Sequence, residues 1–318
     1  MSNPSSNLYL GIDTSNYTTS LALADSAGQI VLNLKKLLPV KPGERGLRQS
    51  DAVFAHIKNL PELLEQLRSV LSQGHLAGIG VSTKPRDAED SYMPCFLVGR
   101  TVADSISASS GCPVFGFSHQ SGHIMAALYG SGALSLLKDR EFAAFHVSGG
   151  TTEILHVLPK DKGFTVELIG GTRDLHAGQV IDRTGVRMGL PFPSGKYVDE
   201  LALSYKGKIP PVKISAEGLF CHLSGLENLS ADLFEKSKDP SLTSAYLLAS
   251  IEQTLRALTG SVRDLYPDVP VLYAGGVMSS QFIKDRLARI GNTYFSKPEF
   301  SSDNACGTAL LCRQQLLT

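Results

Sequence analysis

The sequence predicts an α/β protein made of two copies of one β-β-β-α-β-α unit, and three observations predict it. The same three-strand start occurs twice. Helical and strand patterns alternate after each start, and no low-complexity linker separates the copies. In the first copy Leu8–Asp13 and Thr19–Ala24 are short apolar runs around Thr14-Ser15-Asn16-Tyr17-Thr18, which reads as a β-hairpin with a polar tip. Gln29–Leu34 adds a third antiparallel strand, and helical patterns follow at 50–73, 97–110 and 119–129. Strands at Gly78–Ser82 and Val114–Phe117 lie between those helices. The second copy opens with Glu141–Ser148, a Gly149-Gly150 turn, Thr152–Leu158 and Phe164–Gly170. Helices near 176–189, 195–206 and 242–265, a strand at Val269–Ala274, and helices near 279–289 and 304–316 complete it. Pro61 and the Pro210-Pro211 pair are the clearest local breaks. This order is that of the ribonuclease-H-like unit. Two such units give a two-lobed actin/Hsp70-like fold with an inter-lobe cleft, divided as 7–130 and 131–318, the last helix, 303–318, closing on the first lobe.

The 318 residues, 42% of them hydrophobic, suffice for two lobes with separate cores. Thirty Lys+Arg against thirty Asp+Glu leave no net charge, so no global field draws the chain to nucleic acid or membrane. Any RNA contact must then be a local patch. The candidate is Lys35, Lys36, Lys41, Arg45 and Arg48, broken only by Glu44, against the plainer reading of a solvated loop and strand edge. The N-terminal MSNPSSNLYLGIDTS lacks a basic stretch followed by an apolar one, and no apolar run reaches the length of a membrane span. A cytoplasmic protein with no membrane partner is expected. The five cysteines, scattered and without C-x-x-C, read as buried thiols in a reducing compartment.

His119-Gln-Ser-Gly-His123 sets two imidazoles four residues apart on one helical face, where both can ligate one ion. With eight histidines in the chain the spacing also arises by chance. Gln120 stands where a zinc protease has its general-base Glu, which disfavours a peptidase. Asp303, just before the last helix, reads as an N-cap. Its carboxylate equally completes a two-His, one-carboxylate set with open coordination positions. Val147-Ser148-Gly149-Gly150-Thr151-Thr152 is a hairpin whose backbone amides can approach a phosphate, because Gly lacks a Cβ. Ala274-Gly275-Gly276-Val277 follows a strand and opens a helix, a second place for a nucleotide or for simple packing. Asp182 reads as a surface charge or an acceptor for ribose hydroxyls. Gly195 reads as a helix start or a flat surface for the sugar.

Together LGIDTSNYTTSLAL, FLVGRTVADSIS, HQSGHIMAAL, HVSGGTTEIL, AGQVIDRTGVRMGLPFPSGKYVDELA, the CHLSGLEN segment, YAGGVMSS and SSDNACGTAL resemble the TsaD family, the Gcp-type threonylcarbamoyl transferases once labelled glycoproteases. The resemblance spans nearly the whole chain. It implies one divalent metal ion, iron or zinc, held by His119, His123 and Asp303. It also implies an adenine-nucleotide site, for threonylcarbamoyl-AMP or ATP/AMP, formed by His146, Val147, Ser148, Gly149 and Gly150 with Asp182, Gly195 and Asp199, beside Gly276 and Ser280 of the late Gly-Gly turn. The implied activity is transfer of a threonylcarbamoyl group to N6 of adenosine in tRNA, with tRNA and the accessory proteins of a threonylcarbamoyl transfer complex as partners. The implied cleft would be lined by the Ser148–Gly150 turn, Asp182, Gly195 and Gly276.

The chain departs from the family pattern at four places. Tyr17 and Thr18 replace an acidic pair in the first hairpin tip, and Thr83-Lys84-Pro85-Arg86-Asp87 replaces a Gly-Pro-Gly-Leu loop. Ser280 replaces an Asn, and Thr151 a His. No residue is assigned as a general base. The lost acidic pair motivates an alternative, a catalytically altered paralogue acting as a nucleotide-binding assembly or regulatory subunit. Carbamoyl transfer to a small molecule is a third reading.

Overall fold

The structure, a computed structural model, describes residues 7–15, 17–39, 47–72 and 74–317. Its first compact unit comprises the described residues through Leu134, Lys160–Gly163 and the chain from Ser302, and its second comprises Ser135–Pro159 and Phe164–Ser301.

In the first unit, β1 (Asn7–Ser15), β2 (Thr18–Asp25), β3 (Ile30–Leu37), α1 (Gln49–Leu71), β4 (His75–Lys84), α2 (Phe96–Ser110), β5 (Val114–Ser118) and α3 (His119–Ser131) follow in order. The five strands lie as β3-β2-β1-β4-β5, antiparallel from β1 to β3 and parallel from β1 to β5. Alternation along β1 divides its side chains between two layers. Leu8, Leu10 and Ile12 join Leu60, Leu63 and Leu67 of α1 in one core, each such burial stabilising by about 1.5–3 kcal/mol. The opposite face is lined by Gly11 of β1 and Gly80 of β4, and it receives the last helix. A Cβ on Gly11 would lie 2.2 Å from the Ala305 carbonyl oxygen, and one on Gly80 2.3 Å from that of Thr308. Backbone lies on backbone there, which only glycine allows.

Pro61 does not break the chain, contrary to its sequence reading, but sits inside α1. It lies on the exposed side of the helix, where water can meet a carbonyl that proline leaves without an amide partner.

The second unit begins with α4 (Leu136–Asp139), then β6 (Phe142–Val147), β7 (Thr152–Pro159), β8 (Phe164–Thr172), α5 (Ala177–Arg187) and α6 (Gly195–Ser204). Next come β9 (Ala216–Glu217), β10 (Phe220–Cys221), α7 (Ser224–Ser237), α8 (Pro240–Leu265), β11 (Val271–Ala274), α9 (Gln281–Leu287), β12 (Thr293–Phe295) and α10 (Pro298–Ser301). The sheet runs β12-β11-β6-β7-β8-β10-β9. Its part β8-β7-β6-β11-β12 repeats the order and the parallel and antiparallel senses of the first sheet, so the duplication is real. α8 starts two residues before its expected point because Asp239 accepts from the Ser241 and Leu242 amides and Pro240 takes the first helical position. The last helix, α11 (Cys306–Leu316), belongs by packing to the first unit.

Candidate metal centre and nucleotide cradle

Ser118 ends β5 and caps α3 by accepting the Ser121 amide hydrogen, which makes His119 the first residue of the helix and puts His123 one turn on. Asp303 is 180 residues from His123 yet its Oδ1 lies 3.0 Å from His123 Nε2. Glycine packing brings it there. A Cβ on Gly307 would fall 1.8 Å from the Gly122 carbonyl oxygen, so α11 and α3 touch backbone to backbone while α11 lies on the glycines of β1 and β4. Asp303 is not the cap residue of α11, as its position in sequence suggests. The cap position is Ala305, and the Cys306 amide hydrogen goes to Asn304 Oδ1.

His119 Nε2 is 2.9 Å from His123 Nε2 and 3.7 Å from Asp303 Oδ1, and the three ligand atoms form the one metal-competent group of this kind among the described residues. The circle through three points at these separations has a radius of about 1.9 Å. One divalent ion at bond lengths of about 2.0–2.1 Å would reach all three atoms, so His119, His123 and Asp303 fit a metal site. Two imidazoles and a carboxylate suit iron(II) or zinc.

Asp13 was not among the sequence candidates, and it completes the centre. Its Oδ2 accepts the Nδ1 proton of His119 at 2.6 Å while its Oδ1 accepts the Ser15 amide at 2.8 Å. Asp13 is 1% exposed, so this contact is made out of water. It fixes a proton on Nδ1 and turns Nε2 toward His123 and Asp303. Burial works against a charged imidazole, but the Asp13 charge, its hydrogen bond and then Asp303 outweigh it and raise the His119 pKa to about 9. A signal existed in the sequence. Asp13 is two residues from Gly11, hence on the glycine-lined face that carries α11.

The nucleotide candidates all lie in the second unit, joined by direct contacts. Val147 pairs with Thr152 across the turn, and the Ser148 amide donates to the Thr151 carbonyl at 2.7 Å. The Gly178 amide of α5 donates to Ser148 O at 3.1 Å, and Gly275, at φ +98°, packs on the Val147 backbone. Asp182 Oδ1 accepts the Ser194 amide at 2.7 Å, just ahead of Gly195 at the start of α6. Burial raises the Asp182 pKa against the opposing pull of that hydrogen bond. A Cβ on Gly149, Gly150, Gly195 or Gly276 would meet nothing within 4 Å, while the Gly150 amide donates to Ser148 Oγ at 3.2 Å. His146 is partly buried at the end of β6.

Three expectations need revision. Gly276 opens a single 3-10 turn, Gly276–Ser279, and the α-helix begins only at Gln281. Asp199 is committed to that later start: it accepts from Ser280 Oγ and from the Gln281 and Phe282 amides at 3.0 and 3.1 Å. Ser280 in turn accepts the Ile283 amide as the cap of α9. Lastly, the basic stretch is not one surface. Lys35 and Lys36 are adjacent on β3 and so face opposite sides, Lys35 donating to Ser302 Oγ at 3.1 Å and Lys36 pairing with Glu62 of α1. Arg48 precedes α1, while Lys41 and Arg45 lie outside the described residues.

A model of the family described as "TsaD: tRNA N6-adenosine threonylcarbamoyltransferase" matches residues 29–310. The chain belongs to this family. Its relatives include the tRNA N6-adenosine threonylcarbamoyltransferase of Streptococcus suis (strain 05ZYH33), 28% identical over 296 residues that cover 88% of this chain and 83% of that protein. Another, from Carboxydothermus hydrogenoformans, is 27% identical over 316 residues, covering 93% and 88%. Among solved structures, HypF of T. kodakarensis aligns with TM-score 0.57 at 11% identity, covering 98% of this chain and 48% of that one. The Acidaminococcus fermentans (R)-2-hydroxyglutaryl-CoA dehydratase component A aligns with TM-score 0.54 at 14% identity, covering 97% and 98%. These likenesses show the fold alone, which is of the actin/Hsp70-like class. Among the described residues no helix is long and apolar enough to cross a membrane.

Proposed function

We propose that this chain transfers a threonylcarbamoyl group from threonylcarbamoyl-AMP to N6 of an adenosine in tRNA. In this reading His119, His123 and Asp303 hold one divalent ion, and the backbone of Ser148–Gly150, Gly195 and Gly276 carries the adenylate. Family membership supports the reaction, and the observation that carries the site is the convergence of three ligand atoms around a point at metal-bond distance. Bound there, the ion supplies Lewis acidity to a carbamoyl or phosphoryl oxygen.

The residues themselves position and orient. Asp13 holds one His119 proton on Nδ1, so the Nε2 proton is the one a metal would displace. The open glycines let phosphate and ribose lie against amide groups. Asp182 spends Oδ1 on the Ser194 amide and offers its other oxygen to a ribose hydroxyl. Asp199 and Ser280 hold the start of α9 behind the Gly275-Gly276 turn, so they support the cradle rather than touch the ligand. Because AMP is a good leaving group, placing the partners is the larger share of the work.

The test is a reconstituted reaction of purified chain, candidate accessory proteins, enzymatically supplied threonylcarbamoyl-AMP and unmodified tRNA, with digested nucleosides read by mass spectrometry. Formation of N6-threonylcarbamoyladenosine, lost in His123→Ala, supports the proposal. A second reading, an adenylate-binding assembly subunit, is favoured by the partly exposed Tyr17, which leaves no carboxylate at the first hairpin tip. Adenylate binding without any transfer would select it, and transfer only to a small amine would select small-molecule carbamoylation.

A further inference from the structure

We infer that the segment after β4, residues 83–87, is a positioning device for the metal ligand His119, with Asp87 as its working group. This rests on the metal reading above. The pairing of β4 with β5 shifts register between Ser82 and Lys84, so Lys84 stands opposite Ser118 and the following residues pass the start of α3. Pro85 accepts the Gln120 amide hydrogen at 3.0 Å. Asp87 Oδ2 accepts the hydroxyl protons of both Ser118, at 2.9 Å, and Ser121, at 2.8 Å. Ser118 Oγ at the same time takes the Ser121 amide hydrogen, and Lys84 Nζ lies 3.4 Å from Asp87 Oδ1.

Residues 118, 120 and 121, which bracket His119 in sequence, are thus all fixed to this one segment. Asp13 sets the direction of the His119 ring, and Asp87 with Pro85 sets the backbone from which the ring springs. A ligand set works only when held to about 0.5 Å, so both restraints matter. The Asp87 carboxylate also lies where the positive end of the helix dipole favours it.

The experiment is a cobalt(II) titration of the metal-stripped full chain, read by the visible absorption band, for wild type, Asp87→Asn, Asp87→Glu and Ser121→Ala. Asp87→Asn keeps the volume but loses the charge and should weaken cobalt binding about tenfold and alter the band, as lost outer-sphere partners do. Asp87→Glu should recover part of the affinity, and Ser121→Ala should show a smaller change. Asp174→Ala is the control for general destabilisation: it removes a cap of α7 in the other unit and should lower the melting temperature without moving the cobalt band. A wild type that binds cobalt with Asp87→Asn matching it in affinity and spectrum overturns the inference. A wild type that binds no cobalt overturns the metal reading itself and the inference with it.

Discussion

The metal corner and the glycine cradle use glycine in opposite ways. In the first unit Gly11, Gly80 and Gly307 are filled against backbone, and they exist so that α11 can sink onto the sheet and carry Asp303 to the histidines. In the second unit Gly149, Gly150, Gly195 and Gly276 leave open space where a side chain would stand, which in the proposed reading lets a ligand come close. The same residue type builds a rigid side-chain site in one place and a bare backbone surface in the other. A substitution should therefore cost stability in the first and affinity in the second.

The largest effect that sharpens this contrast is Gly307→Ala, whose new methyl would overlap the Gly122 carbonyl. Unfolding by urea should show a loss of about 3 kcal/mol or more, with metal binding lost as α11 shifts. Gly195→Val is its counterpart. The stability change should stay within about 0.5–1 kcal/mol, while calorimetry with an AMP analogue should show at least about tenfold weaker binding. If both variants lose stability equally, the distinction between packed and open glycines fails.

These two classes of site differ in how far the sequence reveals them. The His119 and His123 pair is legible because helical periodicity fixes its geometry locally. The three-strand starts are legible because two-sided burial of β1 and β6 leaves near-continuous apolar runs. β12, with three residues, and β9 and β10, with two each, carry too few positions for any period to show. Asp13 escaped notice because its partner is 106 residues away and its role depends on which face of β1 takes α11. The sequence offers Asp199 as a nucleotide contact but cannot show that its carboxylate accepts the Gln281 and Phe282 amides at the start of α9, which only the fold brings together. The basic stretch misled because strand alternation turns neighbouring lysines apart.

Smaller effects follow from charge. Without metal, His119 holds two protons up to about pH 9, so metal uptake below that pH must displace one. Affinity for zinc or cobalt should rise about tenfold per pH unit and level off near pH 9, and Asp13→Asn should flatten this dependence at neutral pH. The folded-state pKa is raised from 6.5, so the stabilisation from the His119 and Asp13 pair is fully present below that value and is lost as pH rises through about 9. The melting temperature of the metal-free protein should fall over that window, and that of Asp13→Asn should not. The smallest effect is Lys36→Ala, which should change the slope of log affinity for tRNA against log salt by at most about 1, because Lys36 is already paired with Glu62.

The central claim is tested most directly in cells depleted of their own threonylcarbamoyl transferase, by measuring N6-threonylcarbamoyladenosine in total tRNA by mass spectrometry. Expression of this chain, with its accessory proteins where needed, should restore the modified nucleoside, and His123→Ala at equal protein level should not. Restoration by His123→Ala equal to that by wild type would contradict the metal centre, and no restoration by folded, cobalt-binding wild type would contradict the transfer reaction.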